Sequence, residues 1–199
     1  MQELILFYNY TFLLFLFNLF IRYMNININI EFINIIQALS KISLFYYSLN
    51  YNKDTNAVIN YNIIDYSINN IIYIYDKNYE LLIHHCITSI CLLSCQSYNF
   101  NKIAIEILLL FTYSSPILSI AKICKYNNYI QLSNYLFGLF SCVFFYFRIL
   151  LFSIYIYSNY FKYDNYINLN YFSLAISISF IYLLQFYWMF KIIKIIKKK

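Results

Sequence analysis

Residues 80–95 read Glu-Leu-Leu-Ile-His-His-Cys-Ile-Thr-Ser-Ile-Cys-Leu-Leu-Ser-Cys and hold both histidines of the chain, His84 and His85. A helix with one face in water shows a polar stripe at the helical period; this one, after its first residue, does not, which makes it a membrane span or the centre of a large core. An imidazole placed in hydrocarbon gives up its water with no assured replacement. Two of them side by side therefore demand either partners or a function.

The rest of the chain has the same character. With 62% hydrophobic and 11% charged residues over 199 positions, there are too few charges to clothe a water-facing surface. The expected fold is all-α: a polytopic membrane helix bundle of about seven transmembrane helices. Heavy use of Asn, Ile, Tyr and Lys beside one Gly and one Pro indicates a coding bias. Tyr and Asn inside spans accordingly carry less functional weight. The net charge of +6 gathers at the C-terminus, and no basic groove with interleaved aromatics can be separated from the spans, so nucleic acid is not an expected partner. Cys86, Cys91, Cys95, Cys124 and Cys142 lie in or beside apolar runs without a C-x-x-C pair and read as small packing residues.

Taken in order, the expected spans are residues 4–20, closed by Arg22; 32–49, carrying Lys41; 57–75, carrying Asp65; one beginning at Leu81; 103–124, with Glu106 and Pro116; 136–157, with Arg148; and 169–192, ending among lysines. Residues 1–56 form an N-terminal pair of helices and 57–199 a core of five with a basic tail, one membrane domain overall. The alternating Asn-Ile run at residues 25–31 reads as an interfacial loop. Lys41 facing lipid would cost roughly 2.5–3.5 kcal/mol, so it is expected to snorkel or face the bundle. Pro116 removes a backbone donor and should kink its helix, freeing carbonyls beside a cavity. Arg22, Lys77, Lys122, Lys125 and the five C-terminal lysines fall on one side, against Lys53, Lys102 and Lys162 on the other. The positive-inside rule then puts the C-terminus in the cytosol.

On a helix rising from Glu80, Glu80, His84 and Cys91 share a stripe, while His85 turns about 100° away. Glu80 is placed to accept from a His84 ring N–H, which would fix its tautomer and make it a general base. Adjacent histidines on one helix chelate a single ion poorly, so neither metal nor cofactor is expected. A plain reading also stands, in which the rings bridge helices by hydrogen bonds. Asp65 and Arg148 favour a functional reading, although Arg148 pairing with Asp65 or with a backbone carbonyl is an equal alternative. The aromatics around Trp188, followed by Lys191, suffice as an interfacial belt and anchor.

The series Tyr61-Asn-Ile-Ile-Asp65, Leu-Leu-Ile-His84-His85-Cys-Ile-Thr, Ser115-Pro116-Ile-Leu, Phe-Phe-Tyr-Phe-Arg148-Ile and Tyr187-Trp188-Met-Phe-Lys191 resembles the TLC domain (TRAM, LAG1, CLN8) over about residues 60–194. The resemblance implies a multispan fold of the endoplasmic reticulum or another internal membrane that acts in lipid homeostasis. One branch, the ceramide synthases, acylates a sphingoid base with acyl-CoA; there His84 or His85 would take the amine proton and Asp65 would balance the imidazolium. This chain reads Thr112-Tyr-Ser-Ser-Pro-Ile-Leu where that branch carries a His-Asp and a further Asp. It has Asn60 where the family has Gly before its Tyr, and the arginine after Ser-Pro is replaced around Ala121. The pattern is nearer the non-synthase TLC-domain proteins. The leading expectation is a protein that binds or moves membrane lipid or tunes bilayer composition, with His84, His85 and Asp65 at the centre and Glu80, Ser115, Pro116, Arg148 and Trp188 lining a lipid cavity. The alternatives are a sphingoid-base N-acyltransferase using acyl-CoA and a structural membrane subunit.

Overall fold

The computed structural model describes residues 27–51, 55–160 and 171–197. The first expected span, residues 4–20, lies outside them. Among the described residues every regular element is helical: α1 (Asn27–Tyr51), α2 (Thr55–Tyr75), α3 (Tyr79–Ser97), α4 (Asn101–Thr112), α5 (Ser115–Tyr126), α6 (Ile130–Phe144), a π-helical segment (Phe145–Leu151), α7 (Phe152–Tyr160) and α8 (Tyr171–Lys197). The bundle is helix on helix throughout. Helix α3 packs between α2 and α8, α1 lies along α4 and α5, and the π segment touches α4 and α8.

Among the described residues three helical rods are long and apolar enough to cross a membrane: Asn101–Tyr126, Ile130–Ser158 and Leu174–Lys197. Helices α1, α2 and α3 are 25, 21 and 19 residues long, and about 20 residues at 1.5 Å each match a hydrocarbon layer of about 30 Å. Asparagines and charges lower the hydropathy of α1 and α2, and the histidines with Glu80 that of α3; of these groups Glu31, Asn62 and His84 are buried.

That inward polarity is the organising feature of the packing. Asn62, Gln185, Ser48 and Ser114 are fully buried, whereas Ile71, Tyr75, Tyr135 and Leu183 stand exposed on the outside. In lipid, tails are as apolar as leucine, so association rests on close packing and interhelical hydrogen bonds instead of exclusion from water. Phe45, Ile59, Ile105 and Phe152 supply the packing. The hydrogen bonds come from Gln, Ser and the asparagines that coding bias makes abundant: Gln96 donates to Asn60 at 3.1 Å, Asn101 donates to Asn56 at 2.6 Å, and Ser133 donates to the Ala121 carbonyl at 2.8 Å. Such bonds average about 0.6 kcal/mol each.

Two local expectations change. Residues 27–31 are the first turn of α1, not a loop. Glu31 is buried there and receives Lys122 of α5 at 2.8 Å, an ion pair that the alternating Asn-Ile pattern could not disclose. The helix after Asn101 breaks as expected: α4 ends at Thr112, a turn follows, and α5 starts at Ser115 with Pro116 in its first turn. Proline has no N–H to offer the preceding turn, so the break falls immediately before it. The π segment was not foreseen. Its one-residue widening leaves no signature in hydrophobic spacing.

Candidate functional site

Helix α3 begins where Asn78 caps it, its side-chain oxygen accepting from Leu81 N–H at 3.4 Å. Preceded by Lys77 at a φ of 53°, this tight turn folds α3 back along α2 and sets His84 and His85 just over a turn into the helix. The rings diverge as the helical period requires. His84 is buried and meets Trp188 of α8, ring centroids 4.6 Å apart; His85 sits between Tyr66 and Tyr73 of α2, at 4.5 and 4.9 Å. The two imidazoles are 5.6 Å apart. Both Nδ1 atoms are buried without a hydrogen-bond partner among the described residues. Leaving such a group unpaired costs about 1–3 kcal/mol, so each ring carries a polar deficit, although His85 also has the Tyr66 backbone in hydrogen-bonding reach.

Arg148 reaches the same junction from the π segment. Its Nη2 donates to the Phe111 carbonyl and, at 3.3 Å, to Ser115 Oγ. Of the two alternatives open for Arg148, the backbone carbonyl is the partner found. Phe111 lies one turn before Ser115, where the break between α4 and α5 leaves its carbonyl available to an outside donor. The guanidinium carbon stands 5.6 Å from the Phe111 ring centre and 5.0 Å from that of Phe144. His84 and Tyr66 are within electrostatic reach of it.

Asp65 faces a different partner from the one expected. It pairs with Lys41 of α1 at 2.6 Å, each side chain 15% exposed, so Lys41 turns into the bundle. Asp65 lies within electrostatic reach of His85 but makes no hydrogen bond to it. A lysine that would be costly against lipid captures the carboxylate of Asp65, and among the described residues the imidazoles have no acid bonded to them.

Glu80 also departs from its expected role. It does not accept from His84: its carboxylate receives Lys191 Nζ and, at 2.9 Å, the Tyr187 hydroxyl, tying the start of α3 to the end of α8. These hydrogen bonds, from Lys191 first and Tyr187 second, hold its pKa below the ordinary carboxylate value. Glu80 and Lys191 are each close to half exposed, so the pair is an end clasp and not part of the interior junction. Helical periodicity allowed the contact to His84, but a lysine on a neighbouring helix is the stronger partner.

Of the residues singled out in the sequence, the structure thus gathers His84, His85, Trp188, Arg148 and Ser115 around one interior region, with Pro116 beside Ser115. Asp65 stands at its edge and Glu80 outside. Tyr66, Tyr73 and Phe111 belong to it and were missed; the first two sit at helical spacing on α2 facing His85, a signal buried in the abundance of tyrosine. Among the described residues no group of three or more His, Cys, Asp or Glu could hold a metal ion. The chemistry on offer is hydrogen bonding and positive charge inside an apolar wall.

A family model described as TLC domain matches residues 2–194. No curated protein and no solved structure matches the chain.

Proposed function

The chain belongs to the TLC-domain family, a family of helical membrane proteins with a lipid-related role, and from that premise we propose that it binds membrane lipid, with His84, His85 and Arg148 addressing the polar head group and Trp188 flanking it. The observation that carries this reading is that, of the buried side-chain polar atoms without a partner among the described residues, His84 Nδ1, His85 Nδ1 and Arg148 Nε fall at this one junction, whereas others such as Asn62 Oδ1 and Gln185 Oε1 are single amide oxygens elsewhere in the bundle. Native interiors satisfy nearly all such groups, and an unsatisfied cluster marks a place where a ligand completes the bonding. Through that site the protein acts in lipid homeostasis, by holding lipid, moving it or tuning bilayer composition.

An N-acyltransferase of the ceramide synthase type is the second reading, because an imidazole with an unpaired nitrogen is able to accept a proton from an attacking amine. The Lys41–Asp65 pair counts against it, since among the described residues no carboxylate is left to orient the ring. Purified protein supplied with acyl-CoA and a sphingoid base decides between the two. Ceramide formed by wild type and lost in His84→Ala and His85→Ala would replace the first reading with the second. Co-purified lipid that disappears in the same variants, without ceramide formation, is the result expected. The family resemblance favours the endoplasmic reticulum or another internal membrane, and the lysine-rich end favours a cytosolic C-terminus.

A further inference from the structure

Arg148 stands inside the bundle with no carboxylate against it among the described residues. The acceptors it reaches, the Phe111 carbonyl and Ser115 Oγ, are neutral, and the flanking rings of Phe111 and Phe144 attract a cation without cancelling its charge. The described carboxylates are engaged or distant: Asp65 holds Lys41, Glu31 holds Lys122, Glu80 holds Lys191, Glu106 accepts from the Tyr155 hydroxyl, and Asp76 is exposed in the turn before α3. Lys41, Lys122 and Lys191, which also turn toward neighbouring helices, each found an acid. Arg148 did not, although it lies only about 6 Å of helical rise from the midpoint of the Ile130–Ser158 span, where water cannot compensate it.

Its surroundings supply further donors. Arg148 Nε is buried and unpartnered, as are the hydroxyl of Ser114, which is fully buried beside Ser115, and His84 Nδ1. Arg148 and Ser114 both occupy irregular places in the backbone, the π segment and the turn between α4 and α5. Irregular helix is where side chains are re-aimed most cheaply, and π segments recur at functional sites for that reason.

We infer that this junction binds the head-group oxyanion of an anionic amphiphile, with Arg148 as the charged donor and Ser114 as a neutral one. The inference rests on the lipid-binding reading and narrows it: the bound lipid carries negative charge. A fatty carboxylate and a lipid phosphate monoester share this chemistry, since both present several acceptor oxygens to a guanidinium.

Trp188, the one tryptophan of the chain, abuts His84 and makes binding directly readable by fluorescence. The full-length protein in neutral detergent is titrated with oleate, oleyl phosphate and oleyl alcohol, which share a tail and differ in head group. The expected result is a response to oleate, to oleyl phosphate or to both at concentrations about tenfold or more below those needed for oleyl alcohol. Whichever anion gives it identifies carboxylate or phosphate as the source. Arg148→Gln is expected to erase this preference. Equal responses to all three in wild type, or a preference that persists in Arg148→Gln, would overturn the assignment of an anion to Arg148 and leave the lipid site standing. No response to any of the three by folded protein would overturn both. Should Arg148→Gln fail to fold, the wild-type ranking still decides.

Discussion

Lys41 and Asp65 meet at 2.6 Å across α1 and α2, and this contact removes the carboxylate from the imidazoles beside it. Without the lysine, Asp65 would be the natural counter-ion of a protonated His85. With it, the interior pairs charge with charge and leaves the histidine nitrogens for something else.

Asp65→Asn is expected to strand a largely buried lysine and cost about 3–5 kcal/mol, read as a loss of thermal stability in detergent. Lys41→Met combined with Asp65→Leu should recover most of that loss, because neither charge then needs a partner. The double variant is also expected to keep its bound lipid. Stability restored with lipid lost would instead assign Asp65 to the histidine site.

His85→Phe keeps a ring between Tyr66 and Tyr73 but removes Nδ1. Stability within about 1.5 kcal/mol of wild type is expected, since the volume is close to conserved and an unsatisfied polar atom disappears. Lipid retained through purification, measured by mass spectrometry, should fall. Unchanged lipid content would favour the plain packing role for this histidine.

Pro116→Ala returns an N–H to the chain at the break between α4 and α5. The helix can then close over residues 111–116, and Ser115 N–H competes with Arg148 for the Phe111 carbonyl. Slower amide exchange across residues 111–118, together with weaker lipid binding, is the outcome expected. Exchange that stays fast would show that the turn, not the proline, maintains the break.

The clasp at Glu80 carries a pH signature. Its carboxyl is held below the ordinary value, chiefly by hydrogen bonding from Lys191 and then from Tyr187. A depressed folded pKa means that the contribution is fully present above the unfolded carboxylate value of about 4.3 and is lost as pH falls through the lowered folded value. Melting between pH 6 and pH 3 should therefore show an acid limb that Glu80→Gln reduces. Because the pair is solvent-accessible, the limb should be shallow and should weaken in high salt. An identical limb in the variant would assign the acid sensitivity to other carboxylates.

A C-terminal epitope tag on intact microsomes is expected to be digested by added protease, as the lysine tail favours the cytosolic side. Protection of the tag until detergent is added would reverse the orientation.

Class and helical character were legible in the sequence, because a bilayer leaves few solutions: long apolar runs must satisfy their own backbone, and helices do so within one segment. The kink at Pro116 was legible for the same local reason, as was the divergence of His84 and His85, which the helical repeat fixes. Trp188, Ser115 and Arg148 could be marked as candidates by residue type and family pattern. What the chain alone could not reveal is who pairs with whom. Asp65 went to Lys41, Glu31 to Lys122 and Glu80 to Lys191, each across a helix interface, because opposite charges brought close by packing pair whatever their distance along the chain, most strongly where the dielectric is low. The π segment that aims Arg148 at the Phe111 carbonyl is likewise a tertiary outcome, invisible in spacing. Sequence determined that polar and charged groups would be sealed inside a membrane bundle. Only the packing of the helices decided which of them are spent on one another and which atoms, His84 Nδ1, His85 Nδ1 and Arg148 Nε, have no partner among the described residues.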